Sequence, residues 1–141
     1  PFSGAVIFGD QSVTRANVAD CAITIYDKGT ISSSSTITFN HEQGHIQKFT
    51  CGGAYTITFD FSNWPADEYR GWILVKATNM GLGTLAFAGT VNWKTSNDTY
   101  TMSFSDYFVD RNGETSLKTS GLDEFLFWND GVSTGVYGML I

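Results

Sequence analysis

Apolar and hydroxyl-bearing residues alternate one for one through much of this chain. Ala22-Ile23-Thr24-Ile25-Tyr26, Ser35-Thr36-Ile37-Thr38-Phe39, Ile46-Gln47-Lys48-Phe49-Thr50 and Tyr55-Thr56-Ile57-Thr58-Phe59 each put apolar groups on one side and hydroxyls, amides or charges on the other. A period of two is the period of a strand, so these segments are expected to be half-buried antiparallel strands. Gly71-Trp72-Ile73-Leu74-Val75-Lys76-Ala77 is more continuously apolar, as expected of a central strand covered on both faces. Further strands are predicted at Thr84-Leu85-Ala86-Phe87, Thr90-Val91-Asn92-Trp93, Glu124-Phe125-Leu126-Phe127-Trp128 and Gly135-Val136-Tyr137-Gly138-Met139-Leu140.

Turn formers separate these runs: Asp27-Lys28-Gly29, Cys51-Gly52-Gly53, Arg111-Asn112-Gly113 and Asn129-Asp130-Gly131. Strands that recur about every 8–12 residues indicate an all-β fold, an antiparallel β-sandwich or a jelly-roll-like barrel. Composition agrees, with 30 Ser and Thr against 4 Glu and 7 Leu, which is poor in helix formers. Only Trp64-Pro65-Ala66-Asp67-Glu68-Tyr69 carries a helix-start pattern. No internal repeat is evident. A length of 141 residues suits one domain, read as an N-terminal arm or edge strand over 1–26 and a sandwich body over 27–141.

Eight Lys and Arg against 14 Asp and Glu, a net charge of -6, cannot form the phosphate-neutralising face of a nucleic-acid binder or a polybasic membrane patch. No run approaches the roughly 20 apolar residues of a membrane span, and the first residues lack the pattern of an export signal. The chain is therefore expected to be soluble, with Cys21 and Cys51 reduced and buried rather than paired.

His41-Glu42-Gln43-Gly44-His45 spells the H-E-x-x-H of zinc proteases, whose chemistry needs both imidazoles on one helix face. Here the motif lies between two predicted strands and contains Gly44. The chain has no third His, so the segment reads as a hairpin loop. No Gly-x-Ser-x-Gly occurs, and carboxylates such as Asp106, Asp110, Asp123 and Glu124 read as turn residues rather than glycosidase acids. Asp110-Arg111-Asn112-Gly113-Glu114 has its Gly in the wrong place for a calcium loop and also reads as a turn. No catalytic residue, metal ligand or cofactor is expected. Of the four Trp, Trp64 beside Pro65 is the candidate for stacking on a glycan; the others fall in strand runs and are expected in the core or a subunit interface.

The order of segments from Asp27 to Ile141 resembles a β-rich module of bacteriophage virion proteins, found in tail-fibre or head-fibre tips and small capsid-associated proteins. The residues that carry it are Gly29-Thr30-Ile31, Thr36-Ile37-Thr38-Phe39, Gly44 to Thr50, Tyr55 to Phe59 and Asn92-Trp93-Lys94. Gly121-Leu122-Asp123, Phe125 to Trp128, Asp130-Gly131 and Tyr137-Gly138 complete it. The resemblance departs after Trp93, where Lys94-Thr95-Ser96-Asn97-Asp98 replaces a Pro-Gly-Gly-rich loop.

The resemblance implies a non-enzymatic virion protein, commonly trimeric, assembled in the host cytoplasm. The one-domain size favours a capsid decoration or cement protein bound to the major capsid protein; the alternative is a tail-fibre or receptor-binding tip that engages surface glycans. Phe125, Phe127, Trp128, Val136, Tyr137 and Met139 are more apolar than one sheet face needs and are expected at the homotrimer interface. Phe2, Val6, Ile7 and Phe8 are expected on an arm that adds a strand to a neighbour.

Overall fold

The computed structural model of the protein describes residues 25–40, 43–64, 71–95, 99–101, 103–112, 116–129 and 135–141. In chain order its strands are β1 (Ile25–Ile31), β2 (Ser35–Thr38), β3 (Ile46–Cys51), β4 (Thr56–Asp60), β5 (Trp72–Thr78), β6 (Thr84–Phe87), β7 (Val91–Lys94) and β8 (Tyr100–Thr101). Helix α1 (Phe104–Asn112) follows, then β9 (Leu122–Trp128) and β10 (Val136–Leu140). Among the described residues the fold is all-β apart from α1 and 3-10 geometry at Gln43 and Met80–Leu82, and it is built from two facing sheets.

The larger sheet has seven strands in the order β1-β3-β5-β9-β10-β7-β8, and the smaller has three in the order β2-β4-β6. Up to β6 the chain alternates between them. Each odd strand lies parallel to the previous odd strand, and each even strand parallel to the previous even one. The path is a coil, with one strand on each sheet per turn.

Ile25, Ile46 and Leu74 stack in register on one side of the coil, and Ile37, Phe59 and Phe87 on the other. The residue numbers show that successive turns differ in length, which is why the sequence shows no fixed period. The coil ends at β6. From there β9 pairs antiparallel with β5 and with β10, β10 runs parallel to β7, and β7 antiparallel to β8.

Two sheets without a closed barrel agree with a sandwich rather than a jelly-roll-like barrel, but the expected antiparallel pairing does not hold throughout. Five of the eight ladders are parallel. The segment from His41 to His45 is not a hairpin loop either, because β2 and β3 belong to different sheets. Its described part, residues 43–45, leads into β3 at a corner of the coil, with Gly44 at φ 120, a conformation that favours glycine. The Gln47 amide, fully buried on the inner face of β3, donates from Nε2 to Asn40 O at 2.6 Å and Gly44 O at 3.0 Å and holds that corner.

The core is aromatic. Phe59 at the middle of the small sheet meets Phe39, Phe49, Phe87, Phe125 and Phe127 at centroid distances of 4.8 to 6.0 Å, mostly edge to face. Close packing of so many rings needs a gap elsewhere, which Gly138 supplies: a Cβ there would lie 2.8 Å from the Trp93 ring.

Helix α1 overturns the reading of Asp110 to Asn112 as a turn. Its start is a cap, where the Asp106 N–H donates to Ser103 Oγ at 3.3 Å. Inward it stacks Phe104 and Tyr107 on Trp93 of β7 at 4.7 and 5.1 Å, and the Leu140 N–H of β10 donates to the Tyr107 hydroxyl oxygen. The helix thus covers the part of the large sheet that the three-stranded sheet does not reach. Phe2, Val6, Ile7 and Phe8, the greater part of the expected arm, lie outside the described residues, as do Cys21, His41, Glu42 and 65–70. Cys51 is a free, buried thiol whose Sγ lies 3.1 Å from Gly53 O.

Candidate interaction surface

The inner face of the large sheet is core, so its outer face is what the protein presents. Along β5 the pleat turns Ile73, Val75 and Ala77 inward and leaves Trp72, Leu74 and Lys76 outward. The expectation that this strand is covered on both faces is therefore corrected, since Trp72 is 41% exposed. The same parity along β9 buries Phe125 and Phe127 completely and turns Glu124, Leu126 and Trp128 out. Along β10 it buries Val136 and Leu140 and turns out Tyr137 and Met139.

Register aligns these outward residues into rows that cross the strands. One row is aliphatic: Ile25, Ile46, Leu74, Leu126 and Met139, from β1, β3, β5, β9 and β10 in turn. A neighbouring row is aromatic. His45 packs on Trp72 at 4.8 Å, Trp72 is the register partner of Trp128, Trp128 lies alongside Tyr137 at 5.9 Å, and Tyr137 meets Tyr100 edge to face at 5.1 Å.

On the other flank Asp27 pairs with Lys48 at 3.0 Å and Lys76 with Glu124 at 2.8 Å. The Gly29 N–H, followed by the Lys48 ammonium, holds the Asp27 carboxyl below its ordinary value. These four charges cancel, and Lys94 of β7 projects to the same side. The two ion pairs leave this part of the face without net charge in a chain of net charge -6.

Of the six residues expected at a subunit interface, Trp128, Tyr137 and Met139 come together on this face. Phe125, Phe127 and Val136 do not, because they fill the core of the single chain. Ile25, Ile46, Trp72, Leu74, Tyr100 and Leu126 join the surface unforeseen. Two signals pointed to them: Trp72 and Leu74 make β5 apolar on both sides, and Leu126 and Trp128 do the same for β9.

Trp64 is half-buried, packs against Phe61 at 5.4 Å, and has its indole N–H enclosed without a described acceptor. Its ring serves the edge of the core; the exposed Trp and Tyr rings among the described residues are Tyr26, Trp72 and Tyr100. His45 lies against Trp72, and its partner in the H-E-x-x-H pattern, His41, is outside the described residues. Among the described residues, no group of three His, Cys, Asp or Glu side chains could hold a metal ion.

A hollow of about 260 Å³ with a mixed lining lies by Asp60, Ser62, Thr90 and Val136. Burial opposes ionisation of Asp60, but hydrogen bonds from the Ser62 N–H, the Ser62 hydroxyl and the Thr38 hydroxyl hold its carboxyl below the ordinary value. The Ser62 bonds close the turn after β4, and the Thr38 bond ties it to the neighbouring strand β2. No protein-family model, curated protein or solved structure matches this chain.

Proposed function

We propose that this is a non-enzymatic structural protein of a bacteriophage virion, a capsid decoration protein that associates into a homotrimer and stabilises the mature shell by bridging its major capsid subunits. The observation that carries the self-association is the outer face of the large sheet, with its aliphatic row beside its aromatic row. Seven strands about 4.8 Å apart and about six residues long make a face of roughly 600 Å² in projection, near the ~800 Å² per partner of a standard interface. The two apolar rows occupy part of that face beside the charged flank, and contiguous exposed apolar patches on soluble proteins mark contact sites. The assignment to a virion rests on the resemblance of the Asp27 to Ile141 segments.

Particles stripped of the protein are expected to burst at lower temperature while still adsorbing to cells, and a density map of intact particles should place it on the shell. The exposed rings of Trp72 and Tyr100 favour one second reading, a receptor-binding tip whose aromatic row stacks on surface glycans. Stripped particles that keep their heat resistance and lose adsorption would establish that reading instead.

A further inference from the structure

The layer opposite the large sheet is interrupted. The small sheet stops at β6 and α1 lies beyond it, and between them is a cavity of about 340 Å³. Leu85 of β6, Phe104 and Phe108 of α1 and Leu117 give it apolar walls, with Thr84 and Ser105 contributing hydroxyls. That volume and lining are those of a ligand-sized site with a few polar groups.

The main chain of β6 is as informative as the cavity. On one side the strand pairs with β4, and the N–H groups of Thr84 and Ala88 donate to Tyr55 O and Phe59 O at 2.9 Å. Strand groups alternate in direction, so the N–H and C=O of Leu85 and Phe87 point the other way. No described residue bonds them. An edge strand of this kind is a template for another extended chain. Charge narrows the occupant further, because none of the residues lining the cavity is charged in a chain of net charge -6. An acidic segment would be repelled by the net charge, and a basic side chain entering a cavity with no carboxylate in its lining would lose its hydration without gaining a partner.

We propose that the cleft between β6 and α1 is a docking site for an extended, uncharged segment of a partner polypeptide. The segment's main chain pairs with the β6 edge at Leu85 and Phe87, and one of its large apolar side chains fills the cavity over Phe104 and Phe108. This deepens the reading of the chain as a bridging structural protein and rests on it. One layer of the fold serves association between copies, and the other receives the partner. Four residues of added strand span only about 13 Å, far less than a standard interface, so each copy binds weakly and a trimer gains residence time through effective concentration.

The test is a titration of isotope-labelled protein with the capped peptide Thr-Val-Phe-Val-Thr, followed by amide resonances. Saturable shifts are expected at Leu85 and Phe87. The same peptide N-methylated at alternate amides, in the register that removes its edge-facing donors, should bind at least tenfold more weakly. Ser105→Trp, a change at an exposed helix position that places an indole in the cavity mouth, should abolish binding with the melting temperature unchanged. Absence of saturable shifts up to millimolar peptide, or equal binding of both N-methylated registers and the parent, would overturn the proposal. The virion reading fails on a separate measurement. Peptide binding by a protein whose removal leaves shells unaffected would uphold the cleft and overturn the cement role.

Discussion

Phe59 is a single side chain that five other rings lean on, so its removal leaves a cavity that neighbours on both sheets cannot close together. Phe59→Ala is expected to cost about 3–5 kcal/mol, read as a lower urea midpoint at unchanged slope. The reverse error is made at Gly138. A methyl group there meets the rings of Trp93 at 2.8 Å and Phe127 at 3.1 Å, both held in the core, so Gly138→Ala should destabilise by about 1–3 kcal/mol in the same assay. Among the described residues, Asp60 and Asp27 contribute to acid sensitivity, because their carboxyls are held below their ordinary value of 3.8. Their contribution is complete above that value and is lost as pH falls through the lower value of the folded state. Asp60→Asn should therefore flatten the fall in urea midpoint between pH 5 and pH 2, as measured against the parent protein. Side-chain alternation made Ile37, Phe49, Ile57 and Phe59 legible as core, because their neighbours are polar. It was silent for Phe125, Phe127, Leu126 and Trp128, since β9 is apolar on both sides and nothing local says which side faces in.

The elements themselves were readable wherever the alternation was clean. The segments expected at 35–39, 46–50, 55–59 and 84–87 correspond to β2, β3, β4 and β6 with shifts of at most one residue. Their pairing direction was not readable, because a half-buried strand alternates in the same way beside a parallel or an antiparallel neighbour. Helix α1 was missed although Ser103-Phe104-Ser105-Asp106 has the hydroxyl-x-x-acid spacing of a capped helix start; the aromatic residues around it resemble a strand. At this scale the outer face makes its own prediction. Leu126→Glu places a charge in the middle of the aliphatic row without touching the core. It should convert a trimer to a monomer by light scattering while the melting curve of the monomer stays within about 1 kcal/mol of the parent. A parent protein that is monomeric at micromolar concentration would remove the basis for that interface.

The large sheet depends on where β10 goes. β7 and β8 have no ladder to the coil of β1, β3 and β5 except through β10 and β9, which are wedged between them. Residues 91–101 are therefore made well before the strand that joins them to the rest. On a ribosome the coil can wind as it emerges, but the sheet cannot be completed until Val136–Leu140 has left the exit tunnel. Synthesis stalled after Asn129 should yield a protease-sensitive chain, and release of the remaining residues should convert it to a resistant one. The order of strands thus delays the finished outer face until translation has passed β10.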